Sequence, residues 1–146
     1  MQPAARDAAR ISFGYQIRVL ARRIDRVMAQ RMAPYGVTLP QYYILRELFR
    51  EDGVTQRELS ARLDATEPAT LVTLRRMEDN GLVVRVRDTA DRRKIGVYLT
   101  RRGKRLREVL REHARDVNAI ARGDLSDDDV ARFRAILDRM TRNVQP

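Results

Sequence analysis

Between residues 55 and 99 the apolar spacing of the chain changes from three-and-four to two, and that change leaves few folds open. The stretch "TQRELSARL" (55–63) reads as a short helix. Thr55 stands at the N-cap, Glu58 completes a capping box, and Leu59 and Leu63 point inward. After a break at Asp64-Ala65, "TEPATLVTLRRMEDNG" (66–81) reads as a second helix. Thr66 caps it, Pro68 suits its first turn, Gly81 stops it, and Leu71, Leu74 and Met77 give it a buried side. Alone, such a pair also describes an ordinary helical hairpin in a core. The residues that follow distinguish the two. In "LVVRVR" Val84 and Val86 alternate with Arg85 and Arg87, and in "IGVYL" Ile95, Val97 and Leu99 alternate with Gly96 and Tyr98. Two helices joined by a tight turn and followed at once by a two-stranded hairpin make a winged helix-turn-helix. Its second helix has the shape of one that enters a major groove, with Thr66, Pro68, Ala69, Thr73, Arg75 and Arg76 on its start or outward side.

The loop between the strands, "DTADRRK" (88–94), carries charge at five of seven positions. The chain as a whole has a formal net charge of +10, which favours a polyanionic partner. Residues 82–111 hold eleven Lys or Arg against three Asp or Glu, a net of +8; the other 116 residues hold nineteen against seventeen, a net of +2. A solvated basic face is the plain reading of such a run. On the tip of a hairpin beside a groove-reading helix it has another use, because guanidinium groups on a flexible tip reach the adjacent minor groove. That assigns Asp91, Arg92, Arg93 and Lys94 to nucleic-acid contact, with the Asp91 carboxylate bracing an arginine in an extended pose.

Long helices are expected on both sides of this unit. Residues 9–33 place Ile17, Leu20, Ile24 and Val27 on one stripe with Arg18, Arg22 and Arg26 between them, and Pro34 and Gly36 end the helix. Pro40 opens "PQYYILRELFRE", with Tyr42, Leu45, Leu48 and Phe49 inward. Toward the C-terminus Leu106, Leu110, His113, Val117 and Ile120 form a heptad-like stripe. Ser126 and Asp129 cap a last helix whose apolar face is Val130, Phe133, Leu137 and Met140. These stripes exceed what a small winged helix can cover, so a second copy is expected to bury them. The expected fold is therefore mainly α with a small β-hairpin, a winged helix-turn-helix core flanked by long dimerisation helices. Residues 1–36 and 101–146 form the dimerisation helices and 37–100 the DNA-binding domain. A two-fold dimer sets two recognition helices roughly ten base pairs apart on a palindromic duplex.

The run Asp91-x-Arg93, then five residues, then Leu99-Thr100-x-x-Gly103 resembles the wing signature of the MarR family of bacterial transcriptional regulators. The resemblance extends through "TQRELSARL" and "TEPATLVTLRRMEDNGLVVR" into the flanking helices. It implies that 66–80 is the recognition helix, that Arg93 enters the minor groove with Asp91 as its positioning partner, and that the protein is a homodimer. Where the family commonly has a Trp after a Gln in the second helix, this chain has Gln41 followed by Tyr42. Family members often bind small aromatic or phenolic effectors between the dimer helices and the winged helix. On that implication Tyr15, Arg18, Tyr42 and His113 are the ligand-binding candidates, the rings stacking and Arg or His pairing with a carboxylate or phenolate. The same residues serve equally well as helix-packing groups, His113 above all, since it sits inside an apolar stripe.

Other classes recede on chemistry. The chain has no cysteine, hence no disulfide, thiolate nucleophile or thiol redox sensor. One histidine without clustered acidic ligands makes no metal site or nucleophile–base pair, so no cofactor and no enzyme activity are expected. No apolar run reaches the roughly 18 residues of a membrane span, and "MQPAARDAARISF" lacks the apolar core of a secretory signal, which points to the cytoplasm. A sequence-specific repressor released by a ligand is the leading expectation. The alternative is a nonspecific basic or architectural nucleic-acid-binding protein, which would show salt dependence without sequence selectivity.

Overall fold

The computed structural model describes residues 12–145. Helix α1 (Phe13–Met32) starts where the Ser12 hydroxyl accepts the Tyr15 amide at 3.1 Å; residues 9–11 of the expected helix lie outside the described ones. Pro34 enters a 3-10 turn, Ala33–Tyr35, and Gly36 closes it in the left-handed region at φ 67°. Helix α2 (Leu39–Arg50) begins one residue before Pro40, under a capping box formed by Thr38 and Gln41. Strand β1 (Val54–Thr55) leads into α3 (Gln56–Arg62), which carries the expected Thr55–Glu58 box. A turn containing Asp64 at φ 49° connects it to α4 (Glu67–Asp79), capped by Thr66. Strands β2 (Val83–Arg87) and β3 (Ile95–Leu99) form the wing. Helices α5 (Arg101–Arg105), α6 (Arg107–Arg122) and α7 (Asp127–Asn143) complete the described chain, the last with the expected Ser126–Asp129 box.

The hairpin is part of a three-stranded antiparallel sheet in the order β1-β3-β2. Two residues are too few to display an alternation, so β1 leaves no pattern in the sequence. It is held from outside its own span. Gly53 donates to the Val97 carbonyl at 2.9 Å, and the Asp52 carboxylate accepts the Leu99 amide at 2.8 Å. Met32, Leu45, Leu59, Leu74, Met77 and Val97 are fully enclosed where α1, α2, the helix-turn-helix and the sheet meet. Each such side chain contributes about 2 kcal/mol of transfer free energy.

Three inward faces differ from the sequence reading. In β2 the register sets Val83 opposite Leu99 and Arg85 opposite Val97, so Val83 and Arg85 face the core side and Val84 and Val86 face out. Arg85 is tolerated there because it finds a carboxylate, as described below. In α4 the buried residues are Thr70, Leu74 and Met77, with Leu71 only half-buried; the Thr70 hydroxyl satisfies itself on the Thr66 carbonyl at 3.1 Å. In α6 much of the stripe is consumed within one chain. Leu110 and Val117 are buried as α6 packs along α1, so truncating either acts on the fold of the protomer, not on pairing as the stripe had suggested. The apolar residues left uncovered lie elsewhere: Ile17 and Leu20 on the first half of α1, Ile120 at the end of α6, and Phe133 and Ile136 on α7, which has no buried residue at all.

Candidate nucleic-acid interface

Helix α4 presents its first turn and one long face to solvent. The Thr66 side chain accepts the Ala69 amide at 3.3 Å, which leaves Pro68 and Ala69 exposed at the helix start. Thr73 is half-buried, its hydroxyl donating to the Ala69 carbonyl at 3.3 Å, so it is less available than its position suggested. Arg75 and Arg76 are exposed and form no ion pair with the described residues. Val72 was not singled out from sequence, yet 52% of it is exposed on this helix. Its branched methyls suit apolar contact with a thymine methyl. An exposed valine amid an otherwise amphipathic pattern was the available signal.

The wing stands beside this helix, and Arg85 ties the two together. From β2 its amide and Nε donate to the Glu78 carboxylate at 3.1 and 2.8 Å, and Nη1 reaches the Gln56 side chain of α3 at 3.0 Å. One guanidinium thus ties α4, the wing and α3. Glu78→Gln is expected to lower stability by about 1–2 kcal/mol, because a half-buried cation loses its charge-assisted partner. Urea denaturation checks this; an unchanged midpoint would make the pair an ordinary surface contact.

At the wing tip Arg92, Arg93 and Lys94 are exposed. The Arg93 side chain is 93% exposed, with Nε donating to Asp91 Oδ1 at 3.2 Å. A polar groove of about 560 Å³ runs between the tip and the helix-turn-helix, lined by Arg57, Glu67, Asp91, Arg93 and Lys94 among others. Arg57 is the second residue that sequence reasoning missed. It lies on an outward position of α3 that resembles any solvated arginine until the wing folds beside it. Two arms, α4 and the wing, therefore project from one body with a cation-bearing groove between them.

The four ligand candidates are not gathered in the same way. Tyr15 and Arg18 are exposed on α1. Tyr42 is enclosed in the core, its ring centroid 5.5 Å from that of Tyr43, and burial raises its phenol above the usual range. His113 is half-buried, with Nε2 2.9 Å from the Tyr35 hydroxyl and Nδ1 buried with no partner among the described residues. None of the four lines the groove beneath the wing, nor a second cavity of about 560 Å³ between α2 and α4. That cavity is walled by Leu39, Ile44, Leu63 and Ala69, with Arg46 and Arg62 among its polar residues. Tyr43 also lines it, with its hydroxyl held by Asp25 at 2.7 Å; burial, and then this bond, push the phenol up to about 12. Among the described residues no cluster of His, Asp and Glu is arranged to hold a metal ion. No helix among them is long and apolar enough to cross a membrane.

A helix-turn-helix, a basic-tipped hairpin and a short third strand closing the sheet define a winged helix-turn-helix protein. The MarR family model matches residues 35–94. The regulator TtmR of Methylorubrum extorquens (strain PA1) is 30% identical over 93 residues, 64% of this chain and 48% of that protein. The HTH-type transcriptional repressor Rv2887 of Mycobacterium tuberculosis (strain ATCC 25618 / H37Rv) is 28% identical over 75% of this chain and 78% of its own length. Among solved structures, a MarR transcriptional regulator from Methanosarcina mazei Go1 superposes with a TM-score of 0.82 at 31% identity, covering 89% of this chain and 94% of that one. The S. aureus MepR–DNA complex shares the fold, with a TM-score of 0.86 at 24% identity over 92% of this chain and 99% of that one. The chain belongs to the MarR family, which places it among transcriptional regulators and not enzymes.

Proposed function

We infer that the protein is a homodimeric, sequence-specific DNA-binding regulator, a repressor of a palindromic operator that a small ligand releases. The observation that carries the DNA reading is the exposed face of α4 beside the exposed Arg93 of the wing, the two elements tied together by Arg85. MepR, of the same fold, has been solved on DNA, and the relative Rv2887 is a repressor by name. On this reading residues 37–100 form the DNA-binding unit, and the helices on either side serve dimerisation. Thr66, Pro68, Ala69, Val72, Arg75 and Arg76 face the major groove; Arg93 enters the minor groove, and Arg57, Arg92 and Lys94 meet phosphates.

Ligand release is proposed through the cavity between α2 and α4 instead of through Tyr15, Arg18, Tyr42 and His113. Ala69, Thr70 and Thr73 of the recognition helix form one of its walls, so a bound ligand bears directly on that helix. The cavity's apolar walls suit a small aromatic or phenolic ligand, with Arg46 and Arg62, paired with Glu47 and Glu51, and Asp64 as its charged lining. Such a ligand releases DNA only if it binds the DNA-incompetent arrangement more tightly.

Selection of bound duplexes from a randomised library near physiological salt tests the reading. One enriched palindrome with half-sites about a helical turn apart is expected. No enriched sequence, with binding that vanishes as salt rises, would instead make this a nonspecific basic protein. On the selected duplex, Arg93→Ala is expected to weaken binding by about 1–3 kcal/mol without changing the melting temperature, since its side chain packs against almost nothing. Unchanged affinity would remove Arg93 from the interface.

A further inference from the structure

The wing tip is closed by its own hydrogen bonds before anything binds it. The Asp88 amide donates to the Lys94 carbonyl at 2.9 Å, and the Lys94 amide donates to the Asp91 carbonyl at 2.9 Å. Within the loop, one carboxylate oxygen of Asp88 accepts two amides, from Ala90 at 2.7 Å and from Asp91 at 2.8 Å. Asp91 Oδ1 in turn accepts the amide of Arg93 at 3.1 Å and its Nε at 3.2 Å. From the strand below, Arg87 Nη1 donates to the Arg92 carbonyl at 2.6 Å. The sequence suggested a flexible tip with one carboxylate brace; the structure shows two carboxylates acting in series.

We propose that Asp88 is a positioning residue of the wing: it fixes the backbone of Asp91 in the place from which Asp91 holds the Arg93 side chain at Nε. The proposal rests on the reading of Arg93 as a DNA contact. Its physical ground is that Arg93 has almost no packing, so its conformation depends on hydrogen bonds alone. An unrestrained arginine loses rotamer freedom on binding, and a pre-formed one loses less. The amides of Asp91 and then Ala90 hold the Asp88 carboxyl below the usual carboxylate range, as donors to a charged acceptor do. Because its pKa is lowered in the folded state, this contribution is present above the ordinary carboxylate pKa and fades as pH falls through the shifted one. Asn at position 88 retains an oxygen that can accept both amides; Ala retains none.

The test combines backbone ¹⁵N relaxation with a double-mutant cycle. Binding is measured on the duplex the wild-type protein recovers from a randomised library, or on the unselected library if none is enriched. Asp88→Ala is expected to lower the amide order of residues 90–93 and to weaken binding about three- to tenfold. Asp88→Asn is expected to restore most of both. In an Arg93→Ala background, Asp88→Ala is expected to weaken binding no further. Unchanged order in Asp88→Ala, or the same loss in both backgrounds, would overturn the proposal. If Arg93→Ala alone binds as wild type, the DNA-contact reading of Arg93 fails instead, and the relaxation data still decide whether Asp88 orders the tip.

Discussion

Gly103→Ala is expected to destabilise the protein by about 2–3 kcal/mol or more, although the position lies in a short helix where alanine is ordinarily the better residue. The reason is a close approach between two backbones. A methyl at Gly103 would overlap the carbonyl oxygen of Leu82 and press on the Leu99 side chain at 3.2 Å. That carbonyl cannot easily withdraw. It accepts the Thr100 amide at 3.1 Å and the Thr100 hydroxyl at 3.2 Å, and the same hydroxyl reaches the Gly81 carbonyl at 2.6 Å. Relief therefore means moving α5 away from the junction of α4 and β2, which breaks the cap of α5 and shifts the wing. Thermal or urea unfolding measures the loss. A variant as stable as the wild type would show that α5 can slide, and that the glycine of the wing signature is not set by packing.

The second large effect is expected from charge on the uncovered face of α7. Phe133→Glu with Ile136→Glu should yield a monomer in sedimentation and lower affinity for the selected palindrome by about a hundredfold or more. A dimer holding two half-sites binds the second as an intramolecular event, and a monomer has no such gain. Helical content should persist, because 47% of Phe133 and 53% of Ile136 are already exposed within the single chain. The contrast is Leu110→Ala, whose side chain is fully enclosed between α6 and its own protomer. That change should lower stability by about 2–5 kcal/mol and reach pairing only indirectly. If the double glutamate variant remained dimeric at low concentration, the interface would lie elsewhere.

Much of the candidate surface was legible in the sequence because it rests on local chemistry. The caps at Thr55, Thr66 and Ser126 involve residues three apart, so the chain alone specifies where α3, α4 and α7 begin. The Asp91–Arg93 brace spans two residues and was legible for the same reason. The relation of those pieces to one another was not. Strand β1 exists only because Asp52 and Gly53 meet β3 across more than forty residues. Arg85 alternates with valines exactly as an outward residue would, and only the register with Val97, together with Glu78 and Gln56, turns it inward.

The ligand candidates show the same division. Tyr42 and His113 were placed by helical periodicity, which tells which residues are apolar-facing but not what faces them. In the folded chain one is enclosed in the core and the other is bonded to Tyr35. What the sequence determined by itself was the main helices and the hairpin, the caps at Thr55, Thr66 and Ser126, and the charged tip, since each depends on neighbours within a few residues. The tertiary structure alone decided which apolar stripes are spent inside one chain, which side of β2 is inward, and which residues tie the wing to α4. Those outcomes depend on pairings between distant segments, and hydrophobicity, which draws apolar surfaces together, does not specify their partners.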